Sequence, residues 1–122
     1  NPGSSDVLRL NTDQGLLFEV LAHKSMIWNQ TGACGLVVGA THPDDLLKVR
    51  NIATTLPILL PGVGAQGANT DAIVQNGLDA TGGGILVNAS RSILYASNGS
   101  DFADAARKAA EELRETLNNA RA

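Results

Sequence analysis

The chain has 122 residues, of which 43% are hydrophobic and 17% charged, and it carries a formal net charge of −3. That is the composition of a globular domain, and its acidic balance (pI about 5.2) argues against nucleic acid as a partner, because a nucleic-acid binder needs a basic face. No apolar run approaches the roughly 20 residues that cross a bilayer, so no spanning membrane contact is expected, and a single Cys excludes an internal disulfide framework.

Taken in chain order, Leu16, Leu17, Val20, Leu21, Ile27 and Trp28 mark a helix running roughly from Gln14 to Gln30. Cys34–Gly39 is a short, continuously apolar run, the pattern of a strand buried on both faces. Pro43 then suits a first helical turn, Asp44 and Asp45 sit where the helix dipole favours negative charge, and Leu46, Leu47, Val49 and Ile52 follow at helical spacing. A second apolar run, Leu56–Pro61, precedes a helix carrying Ala72, Ile73, Val74 and Leu78 and ended by Gly77. Gly82-Gly83-Gly84 reads as a flexible connection into the third run, Gly84–Asn88, with a short helix predicted over Ser90–Tyr95. The last helix is capped by Ser100 and stripes Phe102, Ala105, Ala106, Ala109, Leu113 and Leu117 along one face, with charges on the other.

Short strands alternating with helices imply right-handed βαβ units and a parallel sheet, hence an α/β fold. Three such strands alone leave open edges and too few helices to cover both faces. A (β/α)₈ barrel takes about 250 residues, and this chain has about half of that. The simplest account is the C-terminal part of a TIM barrel: residues 1–122 are one half-barrel piece of a single domain, and the N-terminal half is missing or supplied elsewhere. A small open α/β sheet is the alternative. The opening Asn1-Pro2-Gly3, without Met or a secretory leader, reads as a chain entered midway.

Barrel active sites form in the loops after the strands. The loop after the second run, Pro61-Gly62-Val63-Gly64-Ala65-Gln66-Gly67, surrounds one amide with glycines that let backbone N–H groups approach an anion. After the third run, Arg91 offers a planar fork of donors matched to phosphate, beside the start of a short helix. A phosphate grip made by Gly62, Gly64, Gln66, Gly67, Ser90 and Arg91 is one reading. Two tight turns and a surface Arg are the other, and spacing alone leaves both open.

Pro61-Gly62-Val63-Gly64-Ala65-Gln66-Gly67, followed by Val87-Asn88-Ala89-Ser90-Arg91-Ser92-Ile93-Leu94-Tyr95-Ala96, resembles the C-terminal part of the orotidine 5′-phosphate decarboxylase family, in its bacterial branch of longer chains. Leu36–Pro43 is similar to the family's segment after strand six, and Asn1–Ser4 to the loop after strand five. The resemblance implies a TIM barrel, usually a homodimer and cytoplasmic, that converts orotidine 5′-monophosphate to UMP without metal or organic cofactor. It implies that Arg91 binds phosphate and that Gln66, in a gating loop with Gly67, bridges phosphate and pyrimidine. It further implies that the Ser90 backbone N–H meets phosphate and that Pro61 and Val63 wall the pyrimidine. The family's chemistry rests on an Asp-x-Lys-x-x-Asp motif that this sequence lacks. The chain would therefore hold substrate binding without catalytic residues of its own, would be inactive alone, and would need a companion segment. Other phosphate-binding barrels, such as hexulose-phosphate synthase or ribulose-phosphate epimerase, and a non-catalytic phosphate-binding module are the rival readings.

The remaining chemistry-bearing residues have blander readings. Asp45 and Lys48 lie three apart on a predicted outer helix, Asp104 and Lys108 have the four-residue spacing of a solvated pair, and neither couple can replace the missing array. His42 is a loop or capping residue rather than a ligand contact, and His23 lies on the surface. Cys34 is a small buried hydrophobe, and Met26 and Trp28 pack a helix.

Overall fold

The computed structural model describes residues 2–63 and 70–121. A short 3₁₀ turn, Pro2–Ser4, leads into helix α1 (Ser5–Leu8). Next comes a miniature antiparallel pair, β1 (Asn11–Thr12) and β2 (Gly15–Leu16), where a helix from Gln14 was expected. Gly15 at φ 112° explains the difference, because that left-handed backbone cannot enter a right-handed helix. Helix α2 (Leu17–Trp28) starts two residues later, and the Glu19 carboxylate accepts the Leu16 N–H at 3.1 Å, a capping interaction at its first turn.

The remaining elements follow the predicted alternation. They are β3 (Leu36–Val37), α3 (Pro43–Ile52), β4 (Ile58–Pro61), α4 (Thr70–Gly77), β5 (Ile85–Asn88), α5 (Arg91–Leu94) and α6 (Phe102–Arg121). Strands β3, β4 and β5 form one parallel sheet in that order. Each strand is shorter than its apolar run. Outside the strict ladder, Leu36 N donates to Pro57 O, Val38 N to Leu59 O and Ala40 N to Pro61 O, so β3 stays tied to β4 beyond its two residues.

Register sorts the strand residues by face. Leu36, Ile58 and Ile85 align in one row, and Val37, Leu59 and Leu86 in the next. The first face lies under the helices: Ile58 and Leu60 are fully buried, with Leu46, Leu56 and Ile73 in the same cluster. The second face is open. Val37 is 70% and Leu86 61% exposed, so the expectation of strands buried on both faces fails for this segment. The physical reason is that α3, α4 and α6 lie on one side only, as in the wall of a barrel whose inner face awaits other strands.

Helix α6 packs through Leu113 and Leu117, whereas Phe102, at the head of the predicted stripe, is exposed. Ser97, rather than Ser100, makes the side-chain bond at its entry, donating to Asp101 Oδ1 at 2.6 Å.

A buried charge closes the bottom of the sheet. Arg50 is 6% exposed, and its Nε donates to Gly77 O at 2.7 Å. Its Nη1 donates to Ala53 O and Leu56 O, and Nη2 to Gly84 O, at 2.8–2.9 Å. One guanidinium thus satisfies carbonyls at the ends of α3 and α4 and at the entries to β4 and β5. Asp79 organises the turn beside it: its Oδ1 accepts from Thr81 N, Thr81 Oγ1 and Gly83 N. The Thr81 hydroxyl, then the Gly83 and Thr81 amides and the nearby Arg50 charge, hold the Asp79 carboxyl below its ordinary value. The segment read as a flexible glycine connection is therefore a tied turn. Gly84 sits at φ +79°, where an added Cβ would stand 2.6 Å from Asp79 Oδ2.

Candidate functional site

The opposite, C-terminal ends of β4 and β5 carry the candidate residues. Because the strands are parallel neighbours with Pro61 in register with Asn88, the loops leaving them start side by side. Gly62, at φ 89°, turns the chain off β4 in a conformation that side chains rarely adopt. Beyond β5, Ser90 stands at the N-cap of α5, and its carbonyl accepts from Ile93 N and Leu94 N at 3.2 and 2.8 Å. The helix is four residues long, within the predicted Ser90–Tyr95 span.

These two exits enclose a pocket of about 240 Å³ lined by Pro61, Gly62, Val63 and residues 88–92. Four candidates, Pro61, Val63, Ser90 and Arg91, thus line one concavity. The other two, Gln66 and Gly67, lie outside the described residues, as does Gly64. Pro61 is half-buried and presents surface to the pocket, whereas Val63 is 1% exposed and belongs to the core beneath it. Arg91 is exposed and makes no ion pair or side-chain hydrogen bond with any described residue. An unneutralised guanidinium at the rim of a pocket is suited to an oxyanion, which it can bind through two parallel N–H bonds. The volume is small beside the roughly 300–1,000 Å³ of typical small-molecule sites, enough for one end of a nucleotide.

Other candidates lie elsewhere. His42 occupies the N-cap position of α3 without a side-chain cap bond, and lines a separate pocket with Arg9, Asp45 and Lys48. Asp45 pairs with Arg9 at 2.6 Å and Lys48 with Glu19 at 3.5 Å, both toward other elements. Asp104 and Lys108 pair with Arg107 and Glu112 instead of each other. His23 is exposed, and Cys34 and Met26 pack against the core, but Trp28 is 61% exposed rather than packed. Among the described residues no group of three His, Cys, Asp or Glu side chains could hold a metal ion.

Asn88 was not singled out by sequence reasoning, yet it lines the same pocket. The available signal was a lone amide ending an apolar strand, which reads as a strand terminus unless the strand's facing is known.

No protein-family model matches the chain. It is similar to the orotidine 5′-phosphate decarboxylase of Ralstonia pickettii (strain 12J), with 49% identity over 122 residues covering 99% of this chain and 45% of that protein. The enzyme of the same name from Leptothrix cholodnii (strain ATCC 51168 / LMG 8142 / SP-6) is 52% identical over 132 residues, covering 100% and 46%. Among solved structures, Leishmania donovani OMP decarboxylase superposes with a TM-score of 0.79 at 38% identity, covering 99% of this chain and 45% of that one. Leishmania donovani UMP synthase gives 0.80 at 40% identity, covering 99% and 26%. The chain spans about half the length of the curated relatives it matches.

Proposed function

We propose that this chain, which belongs by sequence and fold to the orotidine 5′-phosphate decarboxylase family, is the phosphate- and pyrimidine-binding half of such an enzyme. The complete protein would convert orotidine 5′-monophosphate to UMP and carbon dioxide. Residues 1–122 are one portion of a single barrel domain, and the remaining strands come from the rest of the protein. The cytoplasmic homodimer belongs to the same reading, which requires no metal or organic cofactor.

The observation that carries the proposal is the convergence of Pro61, Val63, Ser90 and Arg91 on one pocket at the mouth of two adjacent parallel strands. Arg91 and the N–H groups around Ser90 take the phosphate, Pro61 over the Val63 core forms the apolar wall for the base, and Gln66 and Gly67 close over the ligand. Binding energy from the non-reacting phosphate is then available to orient the base at the reacting carbon. The Asp-x-Lys-x-x-Asp array that performs the chemistry is absent from this sequence and has to come from the complementary half. The open row of Val37, Leu59 and Leu86 is the surface on which that half would pack.

Reconstitution tests this. The segment is mixed with a complementary segment of the enzyme, and conversion of orotidine 5′-monophosphate to UMP is followed. Neither piece alone should turn over substrate and the mixture should, with a sugar phosphate lacking the pyrimidine competing more weakly than UMP. Full activity from the complementary segment alone would contradict the assignment.

A further inference from the structure

The Asn88 side chain has no role in the grip described above, and its position is unusual for its chemistry. Along β5, Ile85 and Val87 pack against the core, whereas Leu86 and Asn88 are exposed. Strand alternation therefore puts Asn88 on the same open face as Leu86, one step nearer the mouth. In the row below, Val37, Leu59 and Leu86 are all apolar; in its own row, Asn88 stands beside Pro61. Its carboxamide makes no hydrogen bond with any described residue, and strand alternation leaves its two donors and one acceptor on the open face, although Asn88 also borders the cavity between β5 and α6. The pocket that holds Ser90 and Arg91 includes it.

At about 3.3 Å per residue, Asn88 sits below the rim on which Arg91 stands and above the apolar layer. A ligand whose phosphate is at Arg91 and whose base lies against Pro61 must pass its sugar-phosphate ester by this amide. We propose that Asn88 is a substrate-contacting, specificity-determining residue whose carboxamide NH₂ hydrogen-bonds the sugar-phosphate end of the nucleotide. The inference rests on the nucleotide-binding reading given above and extends it to a residue outside the Gln66, Ser90 and Arg91 set.

The test uses the full-length enzyme carrying this segment, with Asn88→Ala and Asn88→Asp variants. Equilibrium binding of UMP and of uridine is measured alongside thermal melting. Asn88→Asp keeps the shape but removes the donors and adds a negative charge, so it should weaken UMP by about tenfold or more while leaving uridine within about twofold. Asn88→Ala should weaken UMP by a smaller factor, with melting unchanged in both, because the native amide bonds none of the described residues. If Asn88→Asp does not fold, the UMP-to-uridine ratio of Asn88→Ala decides alone. Wild-type binding of UMP with an unchanged ratio in the variants would overturn this inference and leave the proposed function standing. Failure of the wild-type enzyme to bind UMP would overturn both.

Discussion

At the entries to β4 and β5 the chain closes around a charge, and at their exits it leaves one open. Arg50 below is 6% exposed and spends its donors on carbonyls of four different segments. Arg91 above is exposed and bonds no described side chain. Both are cations beside strand ends, yet their surroundings assign them opposite work. A buried guanidinium that satisfies carbonyls holds elements together, whereas an exposed one that bonds no described side chain at the rim of a pocket is available to an anion. The same division appears across the sheet, with Ile58 and Leu60 sealed under helices and Val37 and Leu86 bare on the other face. In barrels the bottom of the strands serves stability and the top serves ligand, and the two ends of β4 and β5 differ in that same sense.

Substitutions can break the comparison. The largest effect is expected for Arg91→Ala in the full-length enzyme: two charge-assisted contacts of about 1.5–3 kcal/mol each should cost about 3–6 kcal/mol in kcat/KM, with melting little changed. Steady-state kinetics beside a thermal melt would check this. Arg50→Met should do the reverse. It strands several buried carbonyls, and denaturant unfolding should show a loss of about 3–5 kcal/mol, while kcat/KM of the folded fraction holds. Arg50→Lys should recover little of that, since an ammonium cannot span the same fork of acceptors.

Next comes Leu86→Ala. Read from its 61% exposure, the substitution should stay within about 0.5 kcal/mol, as for a surface residue. If the open face is the interior of a barrel, the full-length enzyme should lose about 2–5 kcal/mol by the same unfolding measurement. The smallest effect concerns Asp79. Its folded carboxyl titrates below the ordinary value of 3.8, so its contribution is fully present above that value and fades as pH falls through the lower folded one. Asp79→Asn should lower stability modestly at neutral pH and flatten the acid limb of a stability-versus-pH curve, so that variant and wild type converge as pH falls below about 4.

Much of this was legible in residue order. Pro43 with Asp44 and Asp45 placed α3, which runs from Pro43 to Ile52, and Gly77 ended α4 as read. The apolar runs located β3, β4 and β5, although unbroken hydrophobicity reads as burial on both faces and only one face is covered here. The β1–β2 hairpin was not legible: two-residue strands are too short for any period to show, and its signal is the conformation of Gly15. Arg50 was hidden because an Arg among Lys48 and Asn51 reads as solvated, and only the tertiary approach of Gly77 and Gly84 makes it a staple. At the candidate site, Arg91 and Ser90 were picked out by resemblance and loop position, and the structure brings them to one pocket. Asn88 did not, since the facing of a strand's last residue is fixed by sheet register rather than by sequence.

The central claim is that the rim formed by Ser90 and Arg91 holds the phosphate of a pyrimidine nucleotide. A crystal structure of the full-length enzyme with UMP measures it directly. The account predicts phosphate oxygens about 2.7–3.2 Å from the Arg91 guanidinium, with the base against Pro61. A phosphate seated elsewhere, with Arg91 turned to solvent, would contradict it.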